Sequence, residues 1–474
     1  MILSPEQNEA LIRFRRGDNL FITGPGGTGK TKLIENLIKD ATLLKKKIQV
    51  CALTGCAAVL LGCGAKTIHS WSGIRLARGD PKQIIQTVLK NRNLIKTWKT
   101  THILVVDEVS MMSQKIFDIL NEIGKCVRKS SRPFGGIQLI FTGDFFQLPP
   151  VGTFGEPETE NFCFESNMWK SVFPLENHIE LSHIFRQTDP VYKQILQQIR
   201  RGELDEEGQT MLRTRLNQPY DLSFNNGCIP TKLFPLRAKV DTLNERTFEE
   251  LDEEEYHFEY SKKTDCKTYM ESNKLIGFDV MAKCEKMTGK EKEYEVEYIL
   301  KNSSCIPLLK LKKGASVLCT VNLDLDNSIC NGSQGIVIGF IDSGYPIIKF
   351  SNGIIKTIQP YYWQSEEFPC IAIGQFPLML AWAMTIHKIQ GATLAMAEMD
   401  IGLNIFEYGQ TYVALSRIQS LQGLYLSAFQ PSRIRANPKV VEFYKQIPPI
   451  LLSKEEKPLD FVEYINPDVK VIHF

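Results

Sequence analysis

A doubly wound α/β fold built on a parallel sheet is predicted by three observations. Four short apolar segments, 19–23, 48–53, 102–106 and 137–141, are separated by stretches of helical periodicity. The first runs into Gly24-Pro25-Gly26-Gly27-Thr28-Gly29-Lys30-Thr31, which fills every fixed position of G-x-x-x-x-G-K-[ST]. The third ends in Asp107-Glu108, adjacent carboxylates at the carboxyl end of a buried strand, where open α/β sheets place their ligands.

The 474 residues exceed one ordinary core, so two to four domains are expected. With 43% hydrophobic and 23% charged residues the composition is that of a globular protein and excludes disordered and fibrous classes. A formal net charge of +2 gives no whole-molecule field for a polyanion. A basic channel would have to be balanced by acid elsewhere, and the acidic run in 249–255 reads as a solvated helix face. No apolar run is long enough to span a bilayer, and the first residues carry neither a secretion signal nor an Arg-rich presequence. The expectation is a soluble intracellular protein, nuclear or cytoplasmic, without a membrane partner. Twelve cysteines show no C-x-x-C pair, and Cys51, Cys56 and Cys63 have no partner cluster at zinc-ligand spacing, so they read as reduced thiols.

Taken in order, Ser4-Pro5-Glu6-Gln7 marks a helix start. Gln7 either closes a capping box or reads an adenine edge, and spacing leaves both open. In the glycine loop, Gly24, Gly26, Gly27, Thr28 and Gly29 allow a turn tight enough to aim backbone N–H groups at a phosphate. Lys30 is expected on the β/γ-phosphates and the Thr31 hydroxyl on Mg²⁺, with ATP as substrate. Leu33, Ile34, Leu37 and Ile38 then recur at helical spacing. After the second strand come Thr54 and, further on, Thr67-Ile68-His69-Ser70-Trp71. Small and hydroxyl residues suit a sugar-phosphate chain, His69 can hydrogen-bond and Trp71 can stack, but a polar loop with a core tryptophan fits equally well. Asp107 is expected to hold Mg²⁺ and Glu108 to deprotonate the attacking water. The fourth strand leads to Gly143-Asp144-Phe145-Phe146-Gln147-Leu148-Pro149-Pro150, with Gln147 placed to sense the γ-phosphate or a bound strand and Phe146 beside it on the DNA side.

The stretch Asp107-Glu108-Val109-Ser110-Met111, the segment Pro133-Phe134-Gly135-Gly136-Ile137-Gln138 and the GDFFQLPP run resemble the petite-integration-frequency (PIF) family of superfamily 1 DNA helicases, whose nearest relatives are RecD-type enzymes. The resemblance extends to about residue 430. It implies two RecA-like motor domains, with a small β-barrel related to Src-homology-3 domains inserted in the second. The first domain would cover 1–180, with a wedge at about 75–99; the second 181–245 and 371–440; the insertion 246–370; and a tail 441–474. Leu181 through Gln187 is similar to the family's fourth motif, which makes Arg186 a γ-phosphate arginine. Leu380 through Leu394 is similar to motif V, which assigns Gln390 and Gly391 to nucleotide and Thr385, His387 and Lys388 to DNA. Tyr412 through Arg417 is similar to motif VI and makes Arg417 an arginine finger. Two positions depart from the family pattern: Ile389 stands where a serine is usual, and Trp71 where phenylalanine is. The resemblance implies ATP-driven 5′→3′ movement on single-stranded and forked DNA by a monomer, with duplexes and, as a further candidate, G-quadruplexes unwound. The alternative is a DNA-stimulated ATPase that remodels protein–DNA complexes without separating strands.

Overall fold

The computed structural model describes residues 3–450 and 452, apart from 62, 76, 222, 224–228, 267–277, 325, 326, 328, 366 and 367. The four anticipated strands form β1 (Leu20–Thr23), β2 (Ile48–Ala52), β4 (Ile103–Asp107) and β5 (Gln138–Thr142), joined by the short β3 (Lys66–Thr67) and β6 (His178–Glu180). The sheet is parallel throughout, in the order β3-β2-β4-β5-β1-β6. β1, β4 and β5 are buried along their whole length, which is why they read as continuous apolar runs rather than alternating ones. Their carboxyl ends place the glycine loop, Asp107 and Thr142 along one rim.

Two helices, Pro81–Lys90 and Arg92–Thr100, precede β4 and pack on the helix Gln114–Arg128. The PFGG turn fixes that packing. Asn121 accepts from the Phe134 N–H at 2.9 Å, and the Arg128 guanidinium donates to the carbonyls of Gly135, Trp98, Lys99 and Thr101. Gly135 has φ +65°, and a Cβ there would lie 2.3 Å from the Gly124 carbonyl oxygen, so no side chain fits. The following Gln138 donates to the carbonyls of Phe14 and Asp18, tying the first helix, Pro5–Arg16, to the sheet. This signature segment is therefore partly architectural.

A second parallel sheet runs in the order Ala383–Thr385, Thr231–Phe234, Ala397–Ile401, Leu424–Phe429. Leu233, Met399, Val413, Leu415 and Leu426 are buried in its core, together with Tyr192 and Ile195 of the helix Pro190–Arg201. Between its first two strands in sequence lies a β-rich unit. It has a five-stranded antiparallel sheet running from Ile355–Thr357 to Leu378–Leu380, and a three-stranded sheet of Tyr361–Gln364, Ala372–Gln375 and Ser261–Lys263. The strands Ala372–Gln375 and Leu378–Leu380 fall in the 371–440 piece expected to be motor, yet they pair with insertion strands.

The helix Pro438–Lys445 returns to the first sheet, where Val440 is fully buried and the Phe443 ring packs against Phe21, Phe145 and Phe164. It straddles the expected boundary at 440, and most of the remaining tail lies outside the described residues. Among the described residues no helix is long and apolar enough to cross a membrane. Among the described residues ten cysteines are free thiols.

Candidate active site

The glycine loop links the end of β1 to the helix Lys30–Leu43, whose N-cap, Gly29, supplies no side chain and leaves the first N–H groups open to a ligand. Gly27 has φ +87°, and a Cβ there would sit 2.5 Å from Cβ of Arg186. Glycine is what lets the Arg186 segment lie against the loop. Lys30 Nζ donates to the carbonyls of Gly24 at 2.7 Å and Pro25 at 3.0 Å. Burial lowers the basicity of this ammonium, while Asp144, Glu108 and Asp107 oppose the shift.

Asp107 ends β4, accepts from the Thr142 hydroxyl and is 7% exposed. Its carboxyl is pushed up to about 6 by burial and by the neighbouring Glu108 carboxylate. Glu108 lies in the left-handed region (φ 55°, ψ 41°), uncommon for a residue with a side chain. Gln390 Nε2 approaches Glu108 Oε2 at 3.3 Å. Gln147 is 4% exposed, and its Oε1 is buried without a partner.

Two arginines complete the site: Arg417 comes from the second sheet's unit, and Arg186 from the segment between β6 and the helix Pro190–Arg201. Arg417 is 2% exposed, and it donates from Nε to the Val413 carbonyl at 2.9 Å and from Nη2 to Ser416 Oγ at 2.8 Å. Arg186 Nη1 donates to the Ser416 carbonyl at 3.1 Å. Burial and the nearby Arg417 charge bring the Arg186 guanidinium down to about 10. One cavity of about 320 Å³ is lined by residues 26–31 together with Asp107, Glu108, Gln147, Phe185, Arg186, Gly391 and Arg417. The arrangement offers N–H donors and three cations to a polyphosphate, with a carboxylate beside them to take a proton.

Thr31 and Asp107 line the same cavity, with Asp107 buried beside a second carboxylate, Glu108. Hydroxyl and carboxylate oxygens are the donors a hard divalent ion such as Mg²⁺ takes, so the residues present fit it.

Gln7 forms the capping box with Ser4, and its Nε2 also donates to the carbonyls of Thr28 at 3.2 Å and Gly29 at 3.4 Å. With both ends of the amide engaged, Gln7 braces the loop in this structure. Sequence reasoning missed a buried network behind the loop. Arg200, on Pro190–Arg201, donates from Nε and Nη2 to Asp144, with contacts of 3.0 Å, and is flanked by the rings of Phe146 and Tyr444. The Tyr444 hydroxyl meets Thr23 and donates to Asp144, and the Tyr412 hydroxyl accepts from the Gly26 N–H at 2.9 Å. Asp144 was visible in the GDFFQLPP run. Arg200 and Tyr444 carried no sequence signal, because their partners lie 56 and 300 residues away.

The residues expected on DNA divide. Trp71 is 3% exposed and packs on Trp98 with ring centroids 4.5 Å apart, so it is the core tryptophan of the two readings and presents no face to a base. Phe146, expected on the DNA side, is likewise enclosed, 7% exposed and 4.6 Å from the Tyr444 ring. Thr54 caps the helix Gly55–Leu61 by accepting from the Ala57 N–H. His69 and Ser70 sit half-buried on the helix Ile68–Ser72, with His69 Nδ1 unpartnered. Lys388 is exposed, Thr385 and Lys388 border a cavity of about 250 Å³ with Arg237 and Asn244, and His387 stacks on Phe406. Ile389 is 1% exposed in the second core, so the hydroxyl usual at that position has no counterpart on the surface.

The family model described as PIF1-like helicase matches residues 3–210, and one described as DNA helicase Pif1, 2B domain, matches 299–340. The chain is 33% identical over 468 residues to the ATP-dependent DNA helicase PIF1 of Xenopus laevis, covering 98% of this chain and 67% of that protein. It therefore spans about two thirds of the relative's length. The crystal structure of Pif1 helicase from Candida albicans superposes with a TM-score of 0.72 at 32% identity, covering 94% of this chain and all of that one. The crystal structure of Bacteroides Pif1 bound to ssDNA gives a TM-score of 0.62 at 27% identity, covering 94% and 97% of the two chains.

Proposed function

The chain belongs to the PIF1-like helicase family, and from that premise we propose an ATP-dependent DNA helicase that moves 5′→3′ along single-stranded DNA and separates duplexes as a monomer. The observation that carries this reading is the shared cavity: the glycine loop, Asp107 and Glu108 come from the first sheet's unit, Arg417 approaches from the second, and Arg186 stands on the segment between β6 and the helix Pro190–Arg201.

In this mechanism the loop N–H groups hold the phosphates, and Lys30 leaves the Gly24 and Pro25 carbonyls for the β/γ-phosphates. Thr31 and Asp107 would hold Mg²⁺, which would neutralise charge on the phosphate oxygens when bound. Glu108 takes the proton of the attacking water, and Gln147 orients that water. Arg186 and Arg417 stabilise charge spreading over the transferred phosphoryl group, a role worth roughly 10³–10⁵ in rate. Because the two halves of the site sit on separate sheets, nucleotide closes the cleft and hydrolysis releases it. Alternating grip on a strand by the two units then yields stepwise movement. Thr385, His387 and Lys388 on the second unit, and Thr54, His69 and Ser70 on the first, form the strand-facing set, with Gln390 and Gly391 on the nucleotide side. The antiparallel insertion takes the part of the family's Src-homology-3-like barrel, and G-quadruplexes are a further substrate.

Forked DNA with a single tail tests this. Unwinding of the 5′-tailed fork and not of the 3′-tailed fork is expected. DNA-stimulated hydrolysis with neither fork opened would replace the helicase by a translocase that remodels protein–DNA complexes.

A further inference from the structure

Three cysteines distant in sequence converge inside the β-rich insertion. Cys266 follows the strand Ser261–Lys263, Cys284 lies in the last turn of the helix Phe278–Glu285, and Cys370 immediately precedes Ile371 and the strand Ala372–Gln375. The antiparallel register pairs Lys263 with Ala372, so Cys266 and Cys370 meet just beyond the end of that ladder. Their sulfurs are 2.9 Å apart, and all three Sγ atoms lie within 4.8 Å of one another. The exposures are 4%, 1% and 1%.

The geometry points to a thiolate metal site, with zinc the ion whose chemistry it fits, held by Cys266, Cys284 and Cys370. Sulfurs bound to a tetrahedral zinc at about 2.3 Å stand about 3.8 Å from each other, a separation this cluster reaches with small side-chain shifts. Three thiols cannot pair off as disulfides without leaving one over. Thiolate ligands select soft ions such as zinc over the hard ion that suits Thr31 and Asp107, so the two sites would not compete. Three protein ligands leave the fourth position to water or a small exogenous ligand. Each thiol loses its proton to solvent on binding, and no redox change is involved. The ion would fasten the helix Phe278–Glu285 to the three-stranded sheet, whose ligands Cys266 and Cys370 lie 104 residues apart in the chain.

The test uses the full chain, purified under reducing conditions without a metal-affinity step. Elemental analysis is expected to give one zinc per chain. Replacement by cobalt is expected to produce thiolate-to-cobalt charge-transfer absorption, and both signals should vanish in Cys284→Ser. If that variant fails to fold, the cobalt spectrum of the wild-type chain decides alone, because the nucleotide pocket contains no thiol. A folded chain free of zinc that shows no thiolate-to-cobalt absorption would reduce the cluster to three small buried side chains. A Cys266–Cys370 disulfide in unreduced peptides would equally overturn the site.

Discussion

At the scale of the residue, the left-handed backbone at Glu108 does the positioning. It turns the chain at the end of β4 so that two successive carboxylates both line the nucleotide cavity, one beside Thr142 and one beside Gln390. Glu108→Gln keeps the shape and removes the carboxylate proposed as the base, so ATP and DNA binding should persist while turnover falls by roughly 10²–10⁴. Near-normal turnover, measured as steady-state phosphate release, would mean that another group takes the proton. Asp107 makes a separate prediction. Its carboxyl is raised from 3.8 to about 6, so between those values the folded chain keeps a proton that the unfolded chain has released. Stability of the nucleotide-free protein should therefore fall as pH rises through that window. Asp107→Asn should abolish the slope and stabilise the fold above it by up to about 3 kcal/mol. Denaturant unfolding on either side of the window checks this, and an unchanged slope would show that Asp107 ionises freely.

At the scale of the element, the helix Pro190–Arg201 joins the two halves by placing Arg200 against Asp144, whose side chain has no exposure. Arg200→Leu would strand a buried carboxylate, and a loss of about 3–5 kcal/mol in unfolding free energy is expected. Asp144→Asn in the same chain should recover much of it, and a single-variant loss under about 1 kcal/mol would deny the pair its structural weight. These elements also show what could be read in advance. β1, β4 and β5 were legible because burial on both faces writes continuous apolar runs, and the loop was legible because its residue types are fixed by backbone geometry. Trp71 was ambiguous because an aromatic ring suits a core and a base equally, and Phe146 was expected on the DNA side for the same ring; packing against Trp98 and Tyr444 encloses both. The cysteine cluster was invisible because no local spacing records it.

At the scale of the whole molecule, residues from both sheets' units line one cavity, the proposed nucleotide site. A loop that binds phosphate becomes a motor only if a second body answers the same nucleotide. The Pro438–Lys445 helix strengthens that link by returning to the first core and setting Tyr444 between Thr23, Asp144 and Arg200. Family motifs made the two arginines legible as a pair, whereas their burial and mutual repulsion emerge only in three dimensions. The central claim is that Arg417 acts on the transition state from across the cleft. It is tested by measuring nucleotide affinity and DNA-stimulated ATP turnover side by side in Arg417→Ala. Turnover should fall by roughly 10³–10⁵ while affinity changes only a few-fold. Equal losses in both, or turnover left intact, would contradict the composite site.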